Sequence, residues 1–158
     1  MRRFQGAMLA TLSALLALAT FPAEARGTDV SVSGAWSRPA TGTAVVYMTI
    51  RDAGPAPDRL VGAESPVATH VGLHESYAMK MAGMGSMNGM AMNGSMMGMR
   101  GVAAIPVPAG GTTVLRPGGY HLMLDLRHDV AAGERIPLRL HFARAGWLTT
   151  TAIVRPIR

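Results

Sequence analysis

Apolar and polar positions alternate with a period of two over several short stretches, and Gly or Pro closes most of them. Val30-Ser31-Val32-Ser33-Gly34-Ala35-Trp36 alternates loosely and stops at Arg38-Pro39. Ala44-Val45-Val46-Tyr47-Met48-Thr49-Ile50 is rich in the β-branched and aromatic residues that suit a half-buried pleated surface. Leu60-Val61 and Val71-Gly72-Leu73-His74 read as short strands on either side of Ser65-Pro66. Thr112–Leu115, Tyr120–Leu124, Ile136–Phe142 and Trp147–Val154 follow in the same style. Short strands, frequent turn signals and no amphipathic helical stripe predict an all-β sandwich or barrel.

One predicted strand carries chemistry. In Gly118-Gly119-Tyr120-His121-Leu122-Met123-Leu124, alternation sends Tyr120, Leu122 and Leu124 to one face and His121 and Met123 to the other. Two residues along a strand are roughly 7 Å apart, so an imidazole and a thioether could share one ion. A thioether is soft and uncharged, and Cu(I) is the ion that seeks it. For an isolated His-x-Met pair the bland alternative is stronger: Met123 fills a core and His121 hydrogen-bonds nearby.

The pair is not isolated. From Met79 to Met99 there are nine methionines in 21 residues, interspersed with Gly83, Gly85, Gly89, Gly94, Gly98, Asn88 and Asn93. Met81, Met84, Met87 and Met90 recur every three residues, but Gly and Asn at this density oppose a helix, so the segment is expected to be a mobile loop. Low-complexity filler and a sticky partner surface are the alternatives to metal capture. Against filler, an exposed loop has no packing reason to carry so many apolar thioethers.

The N-terminus changes the setting. Arg2 and Arg3 precede an apolar run from Ala7 to Phe21 and an Ala23-Glu24-Ala25 cleavage signal, the pattern of a secretory signal peptide over residues 1–25. Cleavage after Ala25 leaves one domain, residues 26–158, large enough to fold on its own core. The chain has no cysteine and no second apolar run long enough to span a bilayer, so a soluble, extracytoplasmic protein is expected. Its net charge of +6 comes mainly from scattered Arg. Without a basic stripe interleaved with aromatics, nucleic-acid binding is not expected; an acidic partner could be steered by this charge.

The ordered set Ala35-Trp36-Ser37-Arg38-Pro39, Tyr47-Met48-Thr49-Ile50, Asp58–Ala63, Leu73-His74-Glu75, Pro108–Gly111 and Leu115–Met123 resembles the PCu(A)C periplasmic copper chaperone family, whose signature is a His, a Met and a His-x-Met pair. The likeness covers almost the whole mature chain. Between Met99 and His121 lie 21 residues, as in the family; between His74 and Met99 lie 24, more than the family has, so the excess falls inside the Met-rich segment. Asp52 stands where relatives usually carry Asn, which is expected to affect a turn.

The resemblance implies a cupredoxin-like or immunoglobulin-like Greek-key fold and a Cu(I) site formed by His74, Met99, His121 and Met123. Met84, Met87, Met90, Met92, Met96, Met97 and His70 are secondary candidates, with Cu(II) a candidate ion at a secondary site. Two imidazoles and two thioethers make a neutral, soft set that suits Cu(I). Zinc, the main rival, prefers thiolate or carboxylate to complete its shell. A blue-copper centre is excluded, since it needs a Cys thiolate. His141 is expected on an exposed strand face and His128 in a turn. No triad or carboxylate pair suggests an enzyme. The resemblance implies a monomer that delivers copper towards the Cu(A) centre of cytochrome c oxidase, subunit II, alongside a Sco-type protein. Copper buffering or resistance without delivery is the alternative, and a plain β-sandwich adhesion module a third reading.

Overall fold

The computed structural model describes residues 29–79 and 96–156. Ten strands account for nearly all regular structure: β1 (Val30–Ser37), β2 (Thr43–Asp52), β3 (Asp58–Glu64), β4 (Ala68–Met79), β5 (Met96–Gly101), β6 (Ile105–Val107), β7 (Thr112–Leu115), β8 (Tyr120–Leu126), β9 (Arg135–Phe142) and β10 (Gly146–Val154). The all-β expectation is correct. The strands run β5-β4-β8-β2-β1-β10-β9-β3-β6, with β7 paired to the second half of β2. Only β1 and β10 pair in parallel, through Trp36–Ile153 and Ser37–Val154, among the strand pairs described. The long sheet folds over so that β3 also lies against β4.

The alternation read from the sequence is the alternation of burial. Val46, Met48 and Ile50 of β2, Leu122 and Leu124 of β8, and Leu138, Leu140 and Phe142 of β9 all face one core. Their partners in the pattern, Val45, Tyr47, His121 and Met123, face the other way. A bulge at Gly34, whose φ of 61° favours glycine, shifts the β1–β2 register between Ser33 and Trp36. Ala35 thus enters the core while Trp36 sits opposite Tyr47 on the outer face.

Two strands are longer or newer than the pattern predicts. β4 runs on to Met79, because β5 supplies a partner for every residue from His74 to Met79. The segment expected as a loop over 79–99 is therefore strand at both ends, paired from Met79↔Met96 to Ser76↔Met99. Met81, Met84, Met87, Met90 and Met92 lie outside the described residues, as does the expected signal peptide. β6, only three residues long, gave no periodic signal. Asp52 does serve a turn, accepting the Gly54 N–H at 2.8 Å.

Asp58 ties β3 to the β9–β10 turn. Burial pushes its carboxyl up, but N–H donors of Ala145, Arg59 and Arg144 outweigh that and hold it below the usual carboxylate value. A carboxylate with a lowered folded pKa contributes stability above its unfolded pKa, and that contribution disappears as pH falls through the folded value. Asp58→Ala should therefore cost about 1–3 kcal/mol at neutral pH and distinctly less in acid. Urea unfolding of both proteins at pH 7 and in acid measures this; an equal cost at both pH values would refute it.

Candidate metal centre

β4 and β8 lie side by side in a register that pairs His74 with His121, Leu73 with Leu122 and Gly72 with Met123. Residues directly opposite in an antiparallel pair share a face. Since Leu73 and Leu122 are buried in the core, His74, His121, Gly72 and Met123 occupy the opposite, outer face. On the other edge of β4, His74 pairs with Gly101 and Ser76 with Met99, which brings Met99 to the same face. Three adjacent strands thus place His74, Met99, His121 and Met123 on one face, with Met99 opposite Ser76 and Met123 opposite Gly72 to either side of the His74–His121 pair, although 24 and 21 residues separate them in sequence.

His121 is the anchor of this group. It is only 2% exposed, yet it lies on the outer face, enclosed by neighbouring rings. The His74 ring stands 5.8 Å from it, and the Tyr47 ring 6.4 Å on the β2 side. Beyond Tyr47 lies Trp36, with centroids 4.8 Å apart, and Arg155 covers the far face of Trp36 at 5.3 Å. Burial pushes the Tyr47 phenol up, with Arg38 pulling the other way. This aromatic row walls His121 off from water.

The hydrogen bonding of His121 sets its chemistry. Nδ1 lies 3.0 Å from the Gly119 carbonyl, and a carbonyl only accepts, so Nδ1 carries the proton. The same carbonyl accepts the Ser76 N–H at 3.0 Å, which fixes it in place. Nε2 is left as a bare lone pair, buried and without a hydrogen-bond partner among the described residues. An orphaned buried acceptor costs free energy. A ring N–H fixed by a backbone carbonyl with the other nitrogen free is the arrangement of a metal-ligating histidine. The donor set therefore fits a metal ion at this position.

The other predicted residues divide clearly. His74 and Met123 are half-buried beside His121. Met99 is 58% exposed on the edge strand. Met97 shares its face, 56% exposed, with its terminal methyl group close to the Gly118 turn. Met96 pairs with Met79 at the end of β5. Glu75 and Arg100 bond across the opposite face of the β4–β5 pair. His128 is exposed in a bend, as expected. His141 is not fully exposed: it is half-buried, stacked at 4.4 Å on Trp147. Among the described residues, no three His, Cys, Asp or Glu side chains gather to hold a metal, so thioethers or water must complete any shell.

Comparison with known proteins fits this geometry. The LpqE-like lipoprotein family model matches residues 30–154. The chain belongs to the LpqE-like, or PCuAC, family. A protein of Leifsonia xyli subsp. xyli named as a lipoprotein is 28% identical over 131 residues, spanning 82% of this chain and 69% of that protein. The copper-bound PCuAC domain from PmoF2 superposes with a TM-score of 0.62 at 23% identity, covering 82% of this chain and 94% of that domain. The Cu(I) form of DR1885 from Deinococcus radiodurans gives 0.56 at 28% identity, covering 84% and 83%. The cupredoxin-like, immunoglobulin-like architecture is thus that of the family.

Sequence reasoning overlooked four members of the site. Tyr47 and Trp36 were assigned to strands without a role, although their place opposite Val46 and Ala35 in the alternation puts them on the ligand face. Gly119 was placed in the predicted strand without a role; its carbonyl orients His121. Gly72 was a plain strand residue; its missing side chain makes room for His74.

Proposed function

We propose that this protein is an extracytoplasmic Cu(I) carrier that holds one ion through His121, His74, Met123 and Met99. The observation that carries the reading is the buried, unpartnered Nε2 of His121, oriented by Nδ1 on the Gly119 carbonyl. Copper-bound relatives of the same fold support it. Relatives named as lipoproteins, and the leader-like N-terminus, support the location. No helix among the described residues is long and apolar enough to cross a membrane.

The arrangement suits cargo that must be given up. Two imidazoles and two thioethers bind Cu(I) without charge, and Met99 stands exposed at the edge. A partner offering thiolates, such as a Sco-type protein or subunit II of cytochrome c oxidase, displaces Met99 first and then the histidines. Storage without delivery is the second reading, and the nine methionines from Met79 to Met99 favour it. Mixing the Cu(I)-loaded protein with an apo Sco-type protein or an apo Cu(A) domain separates the two. Transfer within minutes supports delivery; retention of copper supports storage.

The exposed edge also makes a sharp prediction about the third ligand. Met99→Leu should weaken Cu(I) about 10-fold or more, whereas Met97→Leu should change it less than about threefold. Competition with a chromophoric Cu(I) chelator reads both. A larger loss from Met97→Leu would reassign the ligand to Met97. Zn(II) should not displace Cu(I) under reducing conditions, since the chain has no cysteine and no carboxylate among the described residues completes a zinc shell. Displacement would refute the Cu(I) reading.

A further inference from the structure

His70, Gly72 and His74 follow one another at every second position of β4, so all three face outward. Residues four apart on a strand would ordinarily hold their side chains well separated. Here they converge. A Cβ at Gly72 would lie 2.7 Å from Nε2 of His74 and 3.7 Å from Nε2 of His70, so both rings lean over the same bare Cα. Any side chain at position 72 would occupy the space between the two nitrogens. The surroundings leave this space open: β5 pairs with β4 only from His74 onward, and His70 is exposed. Across β8 stand Met123 opposite Gly72 and Asp125 opposite His70.

We infer that His70 and His74 form a second metal position over Gly72, suited to Cu(II) and different from the Cu(I) set centred on His121. Two neutral imidazoles with open positions for water make a nitrogen–oxygen set, which tetragonal Cu(II) prefers and which ranks Cu(II) above other divalent first-row ions. Among the described residues no third His, Cys, Asp or Glu groups with the pair to hold a metal, although His121 and Asp125 lie across β8, so water completes the shell. The position shares His74 with the proposed Cu(I) ligands, so the two ions compete for that ring. It does not need the Cu(I) reading, because His121, Met99 and the methionine-rich segment contribute nothing to it. One surface residue, His70, would thus make the same face able to receive copper in either oxidation state.

The test titrates the full-length apo-protein with Cu(II) alone, followed by electron paramagnetic resonance and isothermal calorimetry, beside Cu(I) titration under reducing conditions. The wild type should bind one Cu(II) with an axial spectrum showing nitrogen hyperfine structure. His70→Ala should lose Cu(II) affinity about 10-fold or more and keep Cu(I) affinity within about threefold. His74→Ala should weaken both, and His121→Ala should weaken Cu(I) only. Gly72→Val places a branched side chain between the rings in a β-compatible conformation and should also lower Cu(II) affinity. His141→Ala should change nothing. Wild-type Cu(II) binding in either His70→Ala or Gly72→Val would overturn the proposal. Loss of Cu(II) binding in His141→Ala would do so as well, by placing the ion on the other side of the molecule. Failure of His121→Ala to weaken Cu(I) would count against the Cu(I) site alone.

Discussion

Replacing His121 with leucine should lower Cu(I) affinity by at least about 100-fold and leave the apo-protein no less stable than the wild type. The first effect follows from removing the one ligand that is already buried and oriented; even losing an orienting partner of such a ligand commonly costs 10–100-fold. The second follows from what His121 costs the empty fold. Its Nε2 is buried without a partner, a burden of about 1–3 kcal/mol. Leucine removes that atom, and the Gly119 carbonyl keeps the Ser76 N–H as a donor. Chelator competition reads the affinity and thermal unfolding reads the stability. Unchanged Cu(I) affinity would refute the assignment of His121; a large fall in melting temperature with affinity intact would make it a core residue only.

Phe142→Ala should do the reverse. Phe142 is fully buried at the end of β9, paired with Leu60 of β3 on one side and Gly146 of β10 on the other. Truncating a buried phenylalanine costs about 3–5 kcal/mol, from lost burial and the cavity left behind. For a domain of this size that lowers the melting temperature by roughly 10–20 °C. The ligand face lies on the outer side of β4, β5 and β8, which Phe142 does not form, so the folded fraction should bind Cu(I) as the wild type does. A fall in affinity beyond the unfolded fraction would mean that the site depends on the far half of the core. Together the two variants separate binding from folding.

Pattern and structure agree at β8 and part at β5 and β9. The alternation in Tyr120–Leu124 correctly put Leu122 and Leu124 inside and His121 and Met123 outside, because strand period is local and one buried face fixes it. The same reasoning failed for β5. Its Met- and Gly-rich sequence has weak strand propensity, and it becomes a strand because the edge of β4 offers hydrogen bonds to residues 96–101. His141 was misjudged for a related reason: alternation sends it outward, but only the β9–β10 register reveals Trp147 stacked over it.

By itself, then, the sequence determined the all-β class, the faces of the strands it predicted, and the soft donor types that point to copper. These depend on backbone period and on the chemistry of single residues. It also carried the ordered segments that mark the family. Only the tertiary structure decided which donors meet. His74 lies opposite His121, and Met99 shares their face, because β4 is paired with β8 on one edge and β5 on the other, contacts between strands distant in sequence. Likewise, the proton position on His121 rests on a carbonyl held by Ser76, and the convergence of His70 and His74 rests on the empty space over Gly72. Donor type is a property of residues; a buried ring nitrogen left without a partner among the described residues is a property of packing, and no local pattern encodes it.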